Sequence, residues 1–152
     1  YENNLANLYL ITEEWEKSIN YFDRAAKNLL FEGAHIAMTG KGYAYLQQGD
    51  YASALQAFRE AVLMMSNFAP AHYYQAEVYR LTEETLLEKA ALRRTIELAP
   101  ELVQARYRLA VLLLRDENYQ GARQQLEIIM NFVPESEEGK MAAELIKTLP
   151  TE

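Results

Sequence analysis

Small and apolar residues recur along this chain at intervals of three and four positions, which is the spacing of one face of an α-helix. Two neighbouring segments show this spacing clearly: Ala37, Gly40 and Ala44, and then Ala54, Phe58 and Ala61. Between them, Gly49 is suited to end one helix and Asp50 to cap the next. Nothing in the sequence alternates with period two over the length of a strand, so the pattern predicts an all-α protein.

The helical pattern itself repeats, with a period of 36 residues once and 34 residues twice. One column of the repeat holds small residues and another holds large ones. These columns are Ala6/Gly42/Ala76/Ala110 and Phe22/Phe58/Leu92/Leu126. A fixed period of this size is typical of a solenoid, in which each repeat buries its apolar face against its neighbours. We expect the small column to lie where two helices touch closely and the large column to fill the space beside it.

The repeats predict a single domain over residues 1–152. Its four helix pairs are expected at about 1–32, 35–68, 69–102 and 103–136. A further helix at about 136–149 is predicted to cap the array with a polar outer face. The amino end lacks such a cap and begins at Tyr1 inside a helical pattern, so we expect the chain to be a fragment of a longer protein.

Polar residues separate the two helices of each pair. These breaks are Thr12-Glu13-Glu14, Thr82-Glu83-Glu84 and Asp116-Glu117-Asn118. We predict that the Thr or Asp caps the second helix and that Glu in its first turn complements the helix dipole. The third repeat departs from the pattern, since Glu88 and Thr95 replace the small residues of its second helix.

The composition gives no support to catalysis or nucleic-acid binding. A net charge of −7 argues against neutralising phosphates, and the lack of cysteine excludes thiolate metal sites. His35 and His72 have no carboxylates at metal-ligand spacing, so we interpret them as packing residues. The paired glutamates are interpreted as helix starts. We therefore predict no enzyme activity, no cofactor and no metal, and no apolar run approaches the ~20 residues of a membrane span.

The repeat columns resemble the tetratricopeptide repeat family over residues 1–134. The second repeat carries the family pattern at Gly42, Tyr45, Gly49, Tyr51, Ala54, Phe58 and Ala61, and the fourth carries it at Leu109, Ala110, Tyr119, Ala122 and Pro134. The resemblance implies a right-handed α-α superhelix. It also implies a non-enzymatic scaffold that binds an extended peptide or protein segment in a concave groove.

In that family the first helix of each pair lines the groove. The resemblance therefore implies a peptide-binding groove formed by Asn3, Asn7, Thr39, Tyr43, Tyr73, Glu77, Arg80, Tyr107, Arg108 and Val111. Aromatic rings, amides and arginines are favoured at protein recognition surfaces. Tyr74 and Leu114 lie close to these positions, and packing between helices is the alternative for the tyrosines.

Charge adds an expectation about the partner. Residues 80–123 carry 8 basic and 7 acidic side chains, whereas the rest of the chain is strongly acidic. Because Arg80 and Arg108 belong to first helices, we expect an acidic segment of the partner to lie over the third and fourth repeats. The chain lacks the paired lysines with which some family members hold chaperone tails, so we do not expect that ligand.

Two alternative functions stay open. The Tyr1-x-Asn3-Asn4 start, a first repeat lengthened around residues 29–32, and Gly49-Asp50 look like pilotin-like lipoproteins that help an outer-membrane secretin assemble in type IV pilus biogenesis. The other alternative is an oligomerisation or regulatory module of a larger protein, including a homo-oligomer formed through the uncapped amino end. The compartment is unknown: cytoplasmic by default, and periplasmic or outer-membrane-associated under the pilotin-like alternative.

Overall fold

A computed structural model describes residues 1–28 and 30–150, and in this part of the chain it contains nine α-helices and no strand. The helices are α1 (Glu2–Ile11), α2 (Trp15–Lys27), α3 (Ala34–Gln48), α4 (Tyr51–Met64), α5 (Ala69–Leu81), α6 (Thr85–Leu98), α7 (Val103–Arg115), α8 (Tyr119–Phe132) and α9 (Glu137–Thr148). The all-α prediction is confirmed. Leu29, where the first repeat is predicted to be lengthened, lies outside the described residues.

The helices group into two compact units, residues 1–84 and residues 85–152, which we call unit 1 and unit 2. In unit 1, α1 packs on α2, α2 on α3, α3 on α4, and α4 on α5. In unit 2, α6 packs on α7, α7 on α8, and α8 on α9. Within each unit, therefore, consecutive helices pack on one another, as the period of the sequence predicts.

The small and large columns form the core, as predicted. Ala6, Ala76 and Ala110 have no exposed surface, and the members of the large column, Phe22, Phe58, Leu92 and Leu126, are at most 1% exposed. Gly42 leaves no room for a side chain, because an added Cβ would lie 2.6 Å from the Phe58 ring. The helices thus lie in close contact at the small column, and the large residues fill the space beside that contact.

The turns between paired helices use a left-handed residue. Gly49 has φ of 79°, and Glu13, Glu83 and Glu117 at the same register have φ of 59–60°. The first glutamate of the pairs at 13–14 and 83–84 therefore belongs to the turn and does not start the next helix. A residue with positive φ at this point ends the first helix, which is a common way to terminate one.

The predicted helix caps are correct at some breaks and wrong at others. Asp50, predicted as a cap, accepts a hydrogen bond from the Ser53 amide, and Ser136 before α9 likewise accepts one from the Gly139 amide, as N-caps do. Thr12 and Asp116, in contrast, are C-caps of α1 and α7. The left-handed turn residue follows each of them, so the cap of the next helix falls two positions later. The side chain of Asn118 fills that role for α8 by accepting from the Gly121 amide.

The departures in the third repeat are accommodated by polar contacts inside unit 2. Glu88 is 5% exposed and accepts a hydrogen bond from Nη2 of Arg108 at 2.6 Å. Lys89, also buried, pairs with Asp116. The Thr95 hydroxyl, which has no exposed surface, donates to the carbonyl oxygen of Ala91 at 2.9 Å. Two ion pairs therefore join α6 to α7 and its C-cap, and Glu88 forms one of them where the other repeats have Ser18, Ala54 and Ala122.

Helix α9 closes unit 2 at its carboxyl end. Ala142 and Leu149 share a core cluster with Leu126 and Ile129 of α8. The side chains of Glu138 and Glu144 are exposed. The helix thus presents an apolar face to α8 and polar residues to solvent, in agreement with the capping helix predicted after Pro134.

Candidate functional site: the faces of the first helices

The two asparagines predicted for the groove lie on α1, one turn apart. Asn7 is exposed, and its Nδ2 donates to the carbonyl oxygen of Asn3 at 2.8 Å. Asn3 is partly buried. The side-chain amide of Asn7, predicted to line the groove, is therefore engaged with its own helix.

Thr39 lies inside the protein. The residue is 6% exposed, and its hydroxyl donates a hydrogen bond to the carbonyl oxygen of His35 at 2.8 Å. That hydrogen bond satisfies the hydroxyl within α3. The contribution of Thr39 is therefore to packing, and the surface of α3 is provided by residues one turn further on.

Three tyrosines form a cluster on α3 and α5. The ring centroids of Tyr43 and Tyr74 are 5.3 Å apart, and those of Tyr73 and Tyr74 are 5.9 Å apart. Tyr74 also stacks on Phe58 at 5.5 Å with an interplanar angle of 15°. Burial, followed by the neighbouring Tyr43 and Tyr73 hydroxyls, raises the pKa of Tyr74. Tyr74 is thus the anchored ring of the cluster, fixed against the core by Phe58.

The cluster borders an open pocket of about 500 Å³ in unit 1. We call it the tyrosine pocket; its lining includes Tyr43, Gln47, Tyr73, Tyr74 and Glu77, with Leu46 and Leu81 completing it. The rings offer flat apolar faces, while the hydroxyls, the amide and the carboxylate offer hydrogen-bonding groups. This combination fits a polar chain segment better than a purely apolar ligand.

Glu77 and Arg80 are joined by an ion pair along α5. Nε of Arg80 lies 3.2 Å from Oε1 of Glu77, and the arginine is exposed. The two residues are separated by three positions, so they are neighbours on the helix surface. The guanidinium predicted to meet an acidic partner is therefore already bonded to a carboxylate.

The predicted residues of unit 2 lie on α7. Arg108 bonds to the buried carboxylate of Glu88, so its charge is also engaged internally. Val111 is partly buried. Tyr107 packs against the core cluster of unit 2 and lines an open pocket of about 480 Å³ together with Met141 and Leu145 of α9.

The structure thus brings some of the predicted residues together within unit 1. Tyr43, Tyr73 and Glu77 share the tyrosine pocket, with Arg80 bonded to its edge. The prediction missed Gln47 and Leu81, although each lies four positions after a predicted residue and hence on the same helix face. It also missed Met141, which the 34-residue period places in the column of Tyr73 and Tyr107 once α9 is counted as a first helix.

Neither histidine stands in a catalytic arrangement. The ring of His35 makes an edge contact with Phe68 at a centroid distance of 4.7 Å, and Nε2 of His72 lies 3.0 Å from the Ser66 carbonyl oxygen. In residues 1–28 and 30–150, no group of three or more His, Cys, Asp or Glu side chains is placed to hold a metal ion. Within the same ranges, the helices are too short or too polar to cross a membrane.

A buried arginine in unit 2 has a structural role that the sequence pattern did not reveal. Arg106 is 7% exposed; its Nε donates to the Pro100 carbonyl oxygen at 2.7 Å and its Nη1 to Oε1 of Gln125 at 2.9 Å. Burial lowers the pKa of its guanidinium. The side chain ties the turn before α7 to α8, and it is therefore not part of a charged outer surface.

Comparisons with known proteins agree with this architecture. Residues 3–72 and 88–129 match a family model described as tetratricopeptide repeat. No curated protein matches the sequence. A tetratricopeptide repeat protein from Parabacteroides merdae has the same fold, with a TM-score of 0.82 at 16% identity over 96% of this chain and 57% of that chain.

Two further solved structures are similar and are described by what they bind. YrrB, a TPR protein with an unusual peptide-binding site, gives a TM-score of 0.71 at 21% identity over 96% of this chain and 76% of its own. The first TPR of Spaghetti (RPAP3), bound to the HSP90 peptide SRMEEVD, gives 0.64 at 15% identity over 74% of this chain and 90% of its own. At these identities the similarity establishes the fold.

Proposed function

Because this chain belongs to the tetratricopeptide repeat family, we propose that it is a protein-interaction scaffold with no catalytic activity of its own. Its ligand is an extended peptide or protein segment that lies on the faces of the first helices. The observation that carries the proposal is the tyrosine pocket on α3 and α5.

The chemistry of the pocket supports a peptide ligand. Tyr43 and Tyr73 are partly exposed, and Tyr74 supports them by stacking on Phe58. Tyrosine rings provide contact area at a low cost in side-chain entropy, since only two torsions become fixed. An extended chain also carries backbone donors and acceptors, which the hydroxyls and the Gln47 amide can satisfy.

The similar structures support the same class of ligand. YrrB is described as having a peptide-binding site, and the first TPR of Spaghetti holds a seven-residue peptide. The HSP90 peptide is bound to the Spaghetti repeat, and the chain described here lacks the paired lysines with which some family members hold chaperone tails. The class of ligand, an extended segment, is what we carry over to this chain.

An acidic segment of the partner over the third and fourth repeats is a finer part of the proposal, and in unit 2 it concerns the arginines of α7. An acidic residue would have to compete with Glu88 for Arg108, so we expect Arg115, which is exposed in the last turn of α7, to contribute more. An exposed ion pair contributes about 0.2–1 kcal/mol. The variant Arg115→Gln should therefore weaken binding of an acidic partner by no more than about fivefold, and unchanged affinity at low salt would remove the acidic segment from the proposal.

The proposal is tested by affinity capture with matched variants. The double variant Tyr43→Ala/Tyr73→Ala removes both outer rings, and Tyr119→Ala removes a tyrosine that is 39% exposed at the start of α8. We expect partners held by the wild type and by Tyr119→Ala to be lost from the double variant, with thermal melting checked for all three proteins. If all three capture the same partners, the tyrosine pocket is not the binding site.

Self-association is a second candidate function, favoured by the apolar surface of α1. Leu8 is 53% exposed and Ile11 is 80% exposed. A second copy of the chain would bury this surface. The pilotin-like alternative has no comparable observation among the contacts described above and stays a prediction from the sequence.

A further inference from the structure

The tyrosine pocket combines aromatic faces with negative charge. Its outer rings, Tyr43 and Tyr73, flank Tyr74, and the charged side chain in its lining is the carboxylate of Glu77, which also pairs with Arg80 at the pocket edge. The face of an aromatic ring carries a negative quadrupole that attracts cations. The pocket therefore favours a positively charged group over a neutral group of the same shape.

Unit 1, which contains the pocket, has a net negative charge as well. Residues 1–84 contain 6 Lys and Arg against 11 Asp and Glu, which leaves a surplus of five carboxylates. Five of the basic side chains already pair with carboxylates of unit 1; they are Lys17, Arg24, Lys27, Lys41 and Arg80. The net field at the surface of unit 1 is negative, and it raises the local concentration of cations.

We propose that the tyrosine pocket receives the side chain of a lysine or arginine from the bound segment. This inference rests on the proposed function and specifies the partner's chemistry at that site. The aliphatic stem of the side chain would lie against the tyrosine rings and its charged end near Glu77. Such a basic residue is compatible with acidic residues elsewhere in the partner, because Arg108 and Arg115 lie on α7 of unit 2 and not in the lining of the tyrosine pocket.

The probes for the test are two short peptides that differ in one residue. One is acetyl-Ser-Gly-Lys-Gly-Ser-amide, and in the other norleucine replaces lysine, which keeps the stem and removes the charge. Binding is followed by NMR on protein labelled at the tyrosine ring carbons, with signals assigned from Tyr43→Phe and Tyr73→Phe. We expect the lysine peptide to shift the Tyr43 and Tyr73 signals with an affinity about two- to fivefold higher than the norleucine peptide.

Charge variants of the pocket give the sign of the effect. Glu77→Gln should weaken binding of the lysine peptide, because it leaves a positive charge at the pocket edge. Arg80→Gln should strengthen binding, because it leaves the carboxylate of Glu77 without the neighbouring guanidinium. Raising the salt concentration should weaken binding of the lysine peptide and leave the norleucine peptide unaffected. Equal affinities for the two peptides, or tyrosine signals that neither peptide shifts, would overturn the proposal.

The result can be separated from the test of the proposed function. If capture depends on Tyr43 and Tyr73 but the captured segment binds equally well after its lysines and arginines are replaced by norleucine or citrulline, the cation inference fails and the scaffold function stands. If capture does not depend on the two tyrosines, both proposals for this pocket fail.

Discussion

At the scale of single residues, the turn between paired helices holds one residue with positive φ. Glycine occupies it once, at Gly49, and glutamate occupies it at 13, 83 and 117. An L-residue in this region brings its Cβ close to the following carbonyl oxygen, which costs roughly 1–2 kcal/mol. The three glutamates are therefore held in place by the packing of the helices on either side.

Exchanging residues at this turn should change stability in opposite directions. Gly49→Ala is expected to lower the free energy of unfolding by about 1 kcal/mol, since an added Cβ meets no atom within 4 Å and only the backbone is strained. Glu117→Gly is expected to raise it by only about 0.5 kcal/mol, because relief of the strained φ, worth roughly 1–2 kcal/mol, is partly offset by the larger entropy that glycine loses on folding. Urea unfolding measures both, and an unchanged midpoint for Gly49→Ala would show that the turn is not strained.

A second residue-scale prediction concerns Gly42. Alanine there should lower the free energy of unfolding by about 1–3 kcal/mol, because its Cβ would lie 2.6 Å from the fully buried Phe58 ring. This loss outweighs the gain of about 1 kcal/mol that alanine brings to a helix interior. Gly42→Leu should cost more.

The control for Gly42 is a compensating change. In unit 2 the equivalent residues Ala110 and Leu126 lie in one core cluster. We therefore expect Phe58→Leu to recover part of the stability lost in Gly42→Ala. A stabilised Gly42→Ala single variant in thermal melting would contradict the close-contact interpretation.

At the scale of helices, α6 and α7 are joined by charged side chains. The Glu88 and Arg108 side chains are 6% and 18% exposed, so neither charge is well solvated without the other. Breaking a buried pair by removing one partner typically costs 3–5 kcal/mol. A variant that removes Arg108 therefore loses stability as well as any contact that Arg108 makes with a partner.

Arg108→Glu should be destabilised by about 3 kcal/mol or more, because two carboxylates would then face each other. Loss of partner binding in this variant would reflect unfolding as much as loss of the guanidinium. The double variant Glu88→Ala/Arg108→Met should be close to wild type, since it restores the small residue of the other repeats. A double-mutant cycle by urea unfolding checks this, and additive losses would show that the pair is not coupled.

Helices α2 and α3 are linked by Asp23, which contacts Lys27 and Lys41. Hydrogen bonds from Lys27 and then Lys41 lower the pKa of Asp23 below its ordinary value of 3.8. The unfolded chain therefore binds the proton more tightly than the folded one. The stability that Asp23 contributes is fully present above pH 3.8 and is lost as the pH falls toward the lower pKa of the folded state.

Asp23→Asn should accordingly lose about 1 kcal/mol of unfolding free energy at pH 7 and less near pH 3. Lys41→Met should resemble it, whereas Lys27→Met should have little effect, because the Lys27 side chain is 76% exposed and that of Lys41 is 19% exposed. Chemical unfolding at the two pH values measures the difference. A loss that is the same at both would exclude ionisation of Asp23 as its cause.

At the scale of the whole molecule, α1 exposes an apolar residue at a register that is buried in α3 and α5. Leu8 is 53% exposed, although the residues at the same register in α3 and α5, Ala44 and Val78, are at most 1% exposed. Those helices are covered by the second helix before them, α2 or α4. We propose that the exposed Leu8 and Ile11 of α1 contribute to self-association.

We expect weak self-association that becomes stronger at high salt, because a net charge of −7 opposes it at low salt. Ile11→Lys, which replaces a residue that is 80% exposed, should reduce it without changing thermal stability. Sedimentation velocity over a range of protein concentrations measures the effect. A mass that stays monomeric at every concentration would remove the homo-oligomer from consideration.

The sequence by itself determined the helices, the repeat and the core columns. Spacings of three and four residues place Ala6 and Phe22 on buried faces wherever the chain is helical, because a helix has one fixed period. Gly49 and Asp50 mark a helix end and start from their own backbone chemistry. These are local properties, and they extend to each repeat in turn.

Only the tertiary structure decided which polar side chains are available at the surface. Thr39 is placed inside and Arg106 is buried, while Arg80 and Arg108 bond to carboxylates, one of them 20 positions away in the chain. A charge or a hydroxyl can be satisfied by any neighbour that folding brings within about 3 Å. Periodicity predicts the helix face of such a residue, but it does not identify the partner that folding places beside it.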